Sequence, residues 1–113
     1  MDFDGERPIY IQIADNICEK ILSGEIKPGS RILSVREWGA QIGVNPNTVA
    51  RSYEILTDRK VIYTQRGIGF FVADDARDVI AERERKRFIE EEAPLFLKRA
   101  ELLGIDIKEL LKQ

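Results

Sequence analysis

The side chains of this chain best suited to recognition chemistry gather in one short run, Asn45-Pro46-Asn47-Thr48-Val49-Ala50-Arg51. An asparagine amide offers a donor beside an acceptor and can pair bidentately with adenine. An arginine guanidinium matches the O6/N7 edge of guanine, and a threonine hydroxyl serves either a base edge or a phosphate. Arg36 stands two residues after Ser34, close to a predicted helix start, where the unpaired amides already favour an anion. Arg66-Gly67 lies in a glycine-bearing segment whose bare backbone can come close to sugar and phosphate. Each group also has a plain alternative: a well-formed helix start, a surface ion pair, an ordinary hairpin loop.

Catalysis fits this inventory poorly. The chain has no histidine, which removes the commonest general base and the usual zinc ligand sets. Its one cysteine, Cys18, has apolar neighbours and reads as a small core residue rather than a redox sensor. Glu90-Glu91-Glu92 reads as a solvated helix end. No catalytic residue, metal or cofactor is therefore expected.

The elements that would hold these groups can be drawn from spacing. Pro8 suits a first helical position, and Ile9, Ile13, Ile17 and Ile21 repeat every four residues as a buried stripe ending near Gly24. Lys27-Pro28-Gly29-Ser30 reads as a turn and Arg31-Ile32-Leu33 as a short strand. Ser34-Val35-Arg36-Glu37 fits a capping box opening a second helix with Val35, Trp38 and Ile42 inward. Gly43-Val44 breaks it. Asn45 then caps a third helix, with Pro46 at its first position and Val49, Tyr53 and Leu56 in one arc, opposite Asn47, Arg51, Glu54 and Asp58. Val61–Thr64 and Phe70–Val72 are β-rich and flank Gln65-Arg66-Gly67-Ile68-Gly69, which predicts a hairpin. The expected fold is mainly α with a small hairpin wing, a winged helix-turn-helix over residues 1–74, followed by a helical segment over 75–113. In that segment one charged helix should stop before Pro94, a second should run from Leu95 to Leu103, and Asp106 to Glu109 should box a last turn.

A length of 113 residues with 43% hydrophobic content supports one small core. The net charge of −2 argues against a polyanionic partner until its distribution is considered. Residues 1–30 carry −3 and residues 74–113 carry −2. Between them Arg31, Arg36, Arg51, Arg59, Lys60 and Arg66 against Glu37, Glu54 and Asp58 give +3. A basic stretch between acidic ones is the footprint of a local nucleic-acid face. No apolar run reaches the roughly 18 to 20 residues needed to cross a bilayer, and the acidic start Met1 to Glu6 is unlike a secretory signal. The expected compartment is the cytoplasm, with no membrane contact.

Pro28-Gly29, Ser34-x-Arg36, Gly43-Val44-Asn45-Pro46-Asn47-Thr48-Val49-Ala50-Arg51-x-Tyr53-x-x-Leu56 and Gly67-x-Gly69-x-Phe71-Val72 together resemble the GntR family of bacterial regulators, and the Asn-Pro-Asn-Thr-Val-Ala-Arg run resembles its YtrA branch. The resemblance implies a repressor that binds a palindromic double-stranded operator as a homodimer, with members of the branch often beside ABC transporter genes. It implies Arg36, Asn47, Thr48 and Arg51 at the DNA and Gly67 at the wing tip. With Ser34, Asn45 and Arg66 these make the candidate DNA-facing set. Three departures from the family pattern stand out: Trp38 for leucine, Gly39 for alanine, and Ile68 where a wing lysine is common. The expected subunit contacts are Val79, Ile80, Phe88, Leu95, Phe96, Leu102 and Leu103, because short amphipathic helices beside a complete domain have little else to cover them. No small-molecule effector is legible. The competing reading is a winged-helix protein-interaction module, since fold does not decide function.

Overall fold

The computed structural model describes residues 7–113; the acidic start at residues 1–6 lies outside the described residues. The elements run α1 (Ile9–Ser23), α2 (Val35–Ile42), α3 (Pro46–Asp58), β1 (Ile62–Gln65), β2 (Gly69–Val72), α4 (Ala76–Arg87), a π-helical turn (Phe88–Glu92), α5 (Ala93–Leu102) and α6 (Ile107–Leu111). The chain divides after Ile80 into two compact units, a division that falls within α4.

In the first unit α1 and α2 both pack on α3. Ile13, Ile17 and Ile21 are buried, but Ile9 is exposed. The reason lies in the period: a spacing of four advances each isoleucine about 40° around a helix of 3.6 residues per turn, so Ile9 and Ile21 cannot share a face. Pro8 caps α1 from outside rather than beginning it. The core closes with Trp38, Val49, Tyr53, Leu56, Val61, Ile62 and Val72.

β1 and β2 pair antiparallel with Tyr63 opposite Phe71. The expected strand at Arg31–Leu33 is reduced to a single bridge from Arg31 to Phe71. Flanking bonds from Val72 N–H to Ser30 O and from Ile32 N–H to Phe70 O lay this segment along β2.

Ala76 and Ile80 are buried in this same core, and Val79 packs against it. Arg77 Nε donates to Ile21 O at the end of α1, 3.2 Å away, where a cation also meets the negative end of the helix dipole. The first turn of α4 is thus part of the three-helix unit, and the expected boundary after residue 74 lies too early.

In the second unit Pro94 does not end a helix. A proline ring clashes with the carbonyl four residues back and lacks an N–H to give it. Here the preceding turn is π-helical, with Ala93 N–H bonded to Phe88 O, and the helix continues through Pro94 into α5. Gly104, at φ 69°, ends α5 with a bond from Ile105 N–H to Ala100 O. Asp106 caps α6 through Lys108 N–H, while Glu109 pairs with Lys112 and so supplies no second half to the expected box.

Candidate nucleic-acid interface

The site is built from the starts of α2 and α3 and from the wing. At α2 the expected capping box is complete. Ser34 Oγ accepts from Glu37 N–H and Ser34 N–H donates to Glu37 Oε1, both at 3.1 Å. The bond from the Ser34 main-chain N–H to the carboxylate, then the Ser34 hydroxyl beside it, with the nearby Arg31 charge behind them, hold the Glu37 carboxyl below its usual pKa. Ser34 thereby serves the helix start with both its main-chain N–H and its hydroxyl. Arg36 is exposed in the first turn of α2 and is in no ion pair among the described residues, so the surface-pair alternative has no support here.

Between α2 and α3 the turn is tight. Gly43 adopts φ 71° and its N–H bonds to Gly39 O. A Cβ on Gly39 would stand 2.6 Å from Val44 O, so glycine at this first departure from the resembled pattern admits that carbonyl. The second departure, Trp38, fills the adjacent core with its Nε1 lacking an acceptor among the described residues.

Asn45 caps α3 by accepting from Asn47 N–H at 2.8 Å, which leaves its amide NH2 as its remaining recognition group. Val49, Ser52, Tyr53 and Leu56 face inward, and Tyr53 donates its hydroxyl to Leu33 O at 2.6 Å. Burial, with the Glu37 charge added, pushes that phenol well above its usual pKa and keeps it a neutral donor. Asn47 and Arg51 are exposed on the other side and Thr48 is half-buried. The Arg51 guanidinium lies over the Tyr10 ring of α1, 4.1 Å from its centroid.

The wing turns through Gln65-Arg66-Gly67-Ile68, closed by Ile68 N–H to Gln65 O at 2.9 Å, with Gly67 at φ 78°. Such a turn wants glycine at its third position. Arg66, Gly67 and Ile68 are exposed. A Cβ on Gly69 would meet Arg31 Nε at 3.0 Å, so the Arg31 guanidinium comes close to the base of the wing where glycine leaves room for it.

Two residues of this surface, Tyr10 and Arg31, are missed by sequence reasoning. Tyr10 stands off the isoleucine stripe, and nothing local signals that Arg51 reaches it across forty residues. Gly69 gives no clear trace of Arg31 either, since its φ of 143° already asks for glycine.

The expected subunit contacts separate. Ile80 is 3% exposed inside the core of the first unit and so is removed from the contact set, while Val79 packs against that core and is half-buried. Phe88, Leu95, Phe96, Leu102 and Leu103 are 54 to 75% exposed. Ile89, Leu97 and Leu111 join them and were not expected. Among the described residues no group of histidine, cysteine, aspartate or glutamate is placed to hold a metal, and no helix is long and apolar enough to cross a membrane.

A helix-turn-helix whose second helix presents asparagine and arginine beside a glycine-tipped wing defines the winged-helix class of DNA-binding proteins. Comparison with known proteins gives the family. The profile of the bacterial regulatory proteins, gntR family, matches residues 9–72, and the chain belongs to that family. It is 36% identical over 110 residues to the uncharacterised transcriptional regulator YhcF of Bacillus subtilis, covering 97% of this chain and 89% of that one. It is 34% identical over 103 residues to the transcriptional repressor YtrA of the same organism, covering 91% and 78%. Among solved structures, a GntR-family regulator from Bacteroides thetaiotaomicron shares 48% identity at a TM-score of 0.77, with 92% of this chain and 90% of that one aligned. The AraR DNA-binding domain in complex with an operator shares 29% at 0.58, over 65% of this chain and 88% of that one. The chain is thus a transcription regulator with a DNA-binding winged helix, not an enzyme.

Proposed function

We propose that the chain is a repressor that binds a palindromic operator as a homodimer, with α3 in the major groove and the wing against the adjacent backbone or minor groove. The observation that carries this reading is the division of α3: Val49, Tyr53 and Leu56 are buried while Asn47 and Arg51 are exposed on the other side. Asn47, Thr48 and Arg51 read base edges. Ser34, Arg36, the Asn45 amide, Arg66 and Gly67 hold the backbone. The exposed apolar side chains of the second unit pair two copies, since a winged helix reading one half-site gains its second through two-fold symmetry. The resemblance to the YtrA branch extends the proposal to an operator beside ABC transporter genes. Footprinting on the chain's own promoter region tests it. A protected inverted repeat is expected, and protection of a single asymmetric half-site would contradict it. The rival reading as a protein-docking module leaves the exposed Arg36, Arg51 and Arg66 without a purpose.

A further inference from the structure

Arg51 has an acidic neighbour one turn away on its own helix, Glu54, yet it is in no ion pair among the described residues. It is held instead by the face of Tyr10, at 4.1 Å from the ring centroid. The two partners have opposite consequences for recognition. A carboxylate would occupy two of the guanidinium's five donors and neutralise its charge. An aromatic face attracts the cation through the ring quadrupole and leaves every N–H on the guanidinium edge available.

The platform is itself fixed. Ser52, fully buried on α3, donates its hydroxyl to the main-chain carbonyl of Tyr10 at 2.7 Å. This ties the first turn of α1 to α3 one residue beyond Arg51, so the ring and the guanidinium are placed by the same pair of helices. Tyr10 is half-buried, and the bond from Ser52 depends on its backbone, not on its ring.

We propose that Tyr10 is a positioning residue: its ring orders the Arg51 guanidinium in the DNA-free protein with its donors unspent, lowering the entropy cost of bidentate base recognition. The proposal rests on Arg51 being a base reader and says how that reader is prepared. A long arginine side chain otherwise loses substantial rotamer freedom when it binds, and a side chain ordered beforehand has already lost it.

The probe is a duplex enriched from a random-sequence pool by the intact chain, set against a scrambled duplex of equal composition. Tyr10→Leu should weaken the enriched duplex about 2- to 10-fold per half-site, the range for ordering one such side chain, and leave the scrambled duplex unchanged. Tyr10→Phe, which keeps the ring face, should bind as the parent does. In an Arg51→Ala background Tyr10→Leu should have no further effect, an interaction that a merely structural role for Tyr10 would not produce. In the DNA-free chain the Arg51 side-chain resonances should show an upfield ring-current shift that Tyr10→Leu abolishes and Tyr10→Phe retains. If Arg51→Ala is selective but Tyr10→Leu is neutral, additive with it, or raises affinity, this inference alone falls. If Arg51→Ala leaves selectivity intact, the reader assignment fails and takes the inference with it.

Discussion

Lys60 is the one described non-glycine residue with a positive φ, 64°, and it sits where α3 gives way to the wing. Val61 N–H reaches back to Leu56 O and Lys60 N–H to Thr57 O, the bond pair of a helix end that glycine normally serves. An L side chain in this conformation costs about 1 to 2 kcal/mol, of which glycine returns part as entropy of the unfolded chain. Lys60→Gly is therefore expected to raise stability by about 0.5 to 1 kcal/mol, seen as a higher denaturant midpoint at unchanged slope. An unchanged or lowered midpoint would mean the lysine is not strained. Arg36, Arg51 and Arg66 are singled out as candidate recognition groups by their neighbours in sequence, and all three are exposed. Tyr10 and Arg31 are not singled out, because the contacts that give them meaning, with Arg51 and Gly69, are made only after α1, α3 and the wing have packed.

Helices α2 and α3 were readable because their ends carry local chemistry. The reciprocal bonds of Ser34 and Glu37 and the Asn45-Pro46 start need nothing from the rest of the fold. Ser34→Ala should cost about 0.5 to 2 kcal/mol of stability by thermal or denaturant unfolding. The same box has a pH signature. The Glu37 pKa is lowered in the folded state, so its contribution is complete above the ordinary carboxylate range and is lost as pH falls through the folded value. Stability should decline on the acid side, and Glu37→Gln should flatten that decline when midpoints are measured from neutral to acid pH. An identical acid slope in the variant would remove Glu37 from the account. Elements in the second half were less legible for two physical reasons. A π-helical turn relieves the clash that should have stopped the helix at Pro94. Apolar spacing along α4 and the π-helical turn also cannot tell a residue covered by its own chain, as Ile80 is, from one left exposed, as Phe88 is.

On the scale of the whole molecule the first unit holds the buried core, whereas the second unit leaves Phe88, Leu95, Phe96, Leu102 and Leu103 largely exposed, and clustered exposed apolar side chains mark an interaction surface. The intact chain is expected to sediment as a dimer at tens of micromolar, and Phe96→Glu with Leu102→Glu should make it a monomer that retains its helical signal. A monomeric parent would end the dimer proposal. The central claim, that α3 reads sequence while the wing holds backbone, is tested most directly by salt titrations of Arg51→Ala and Arg66→Ala on enriched and scrambled duplexes. Arg51→Ala should cost on the order of 1 to 3 kcal/mol per half-site on the enriched duplex and little on the scrambled one. Arg66→Ala should weaken both by similar factors and lower the slope of log affinity against log salt by about one unit per contact removed. If Arg51→Ala loses the same affinity on both duplexes, α3 is not the reader.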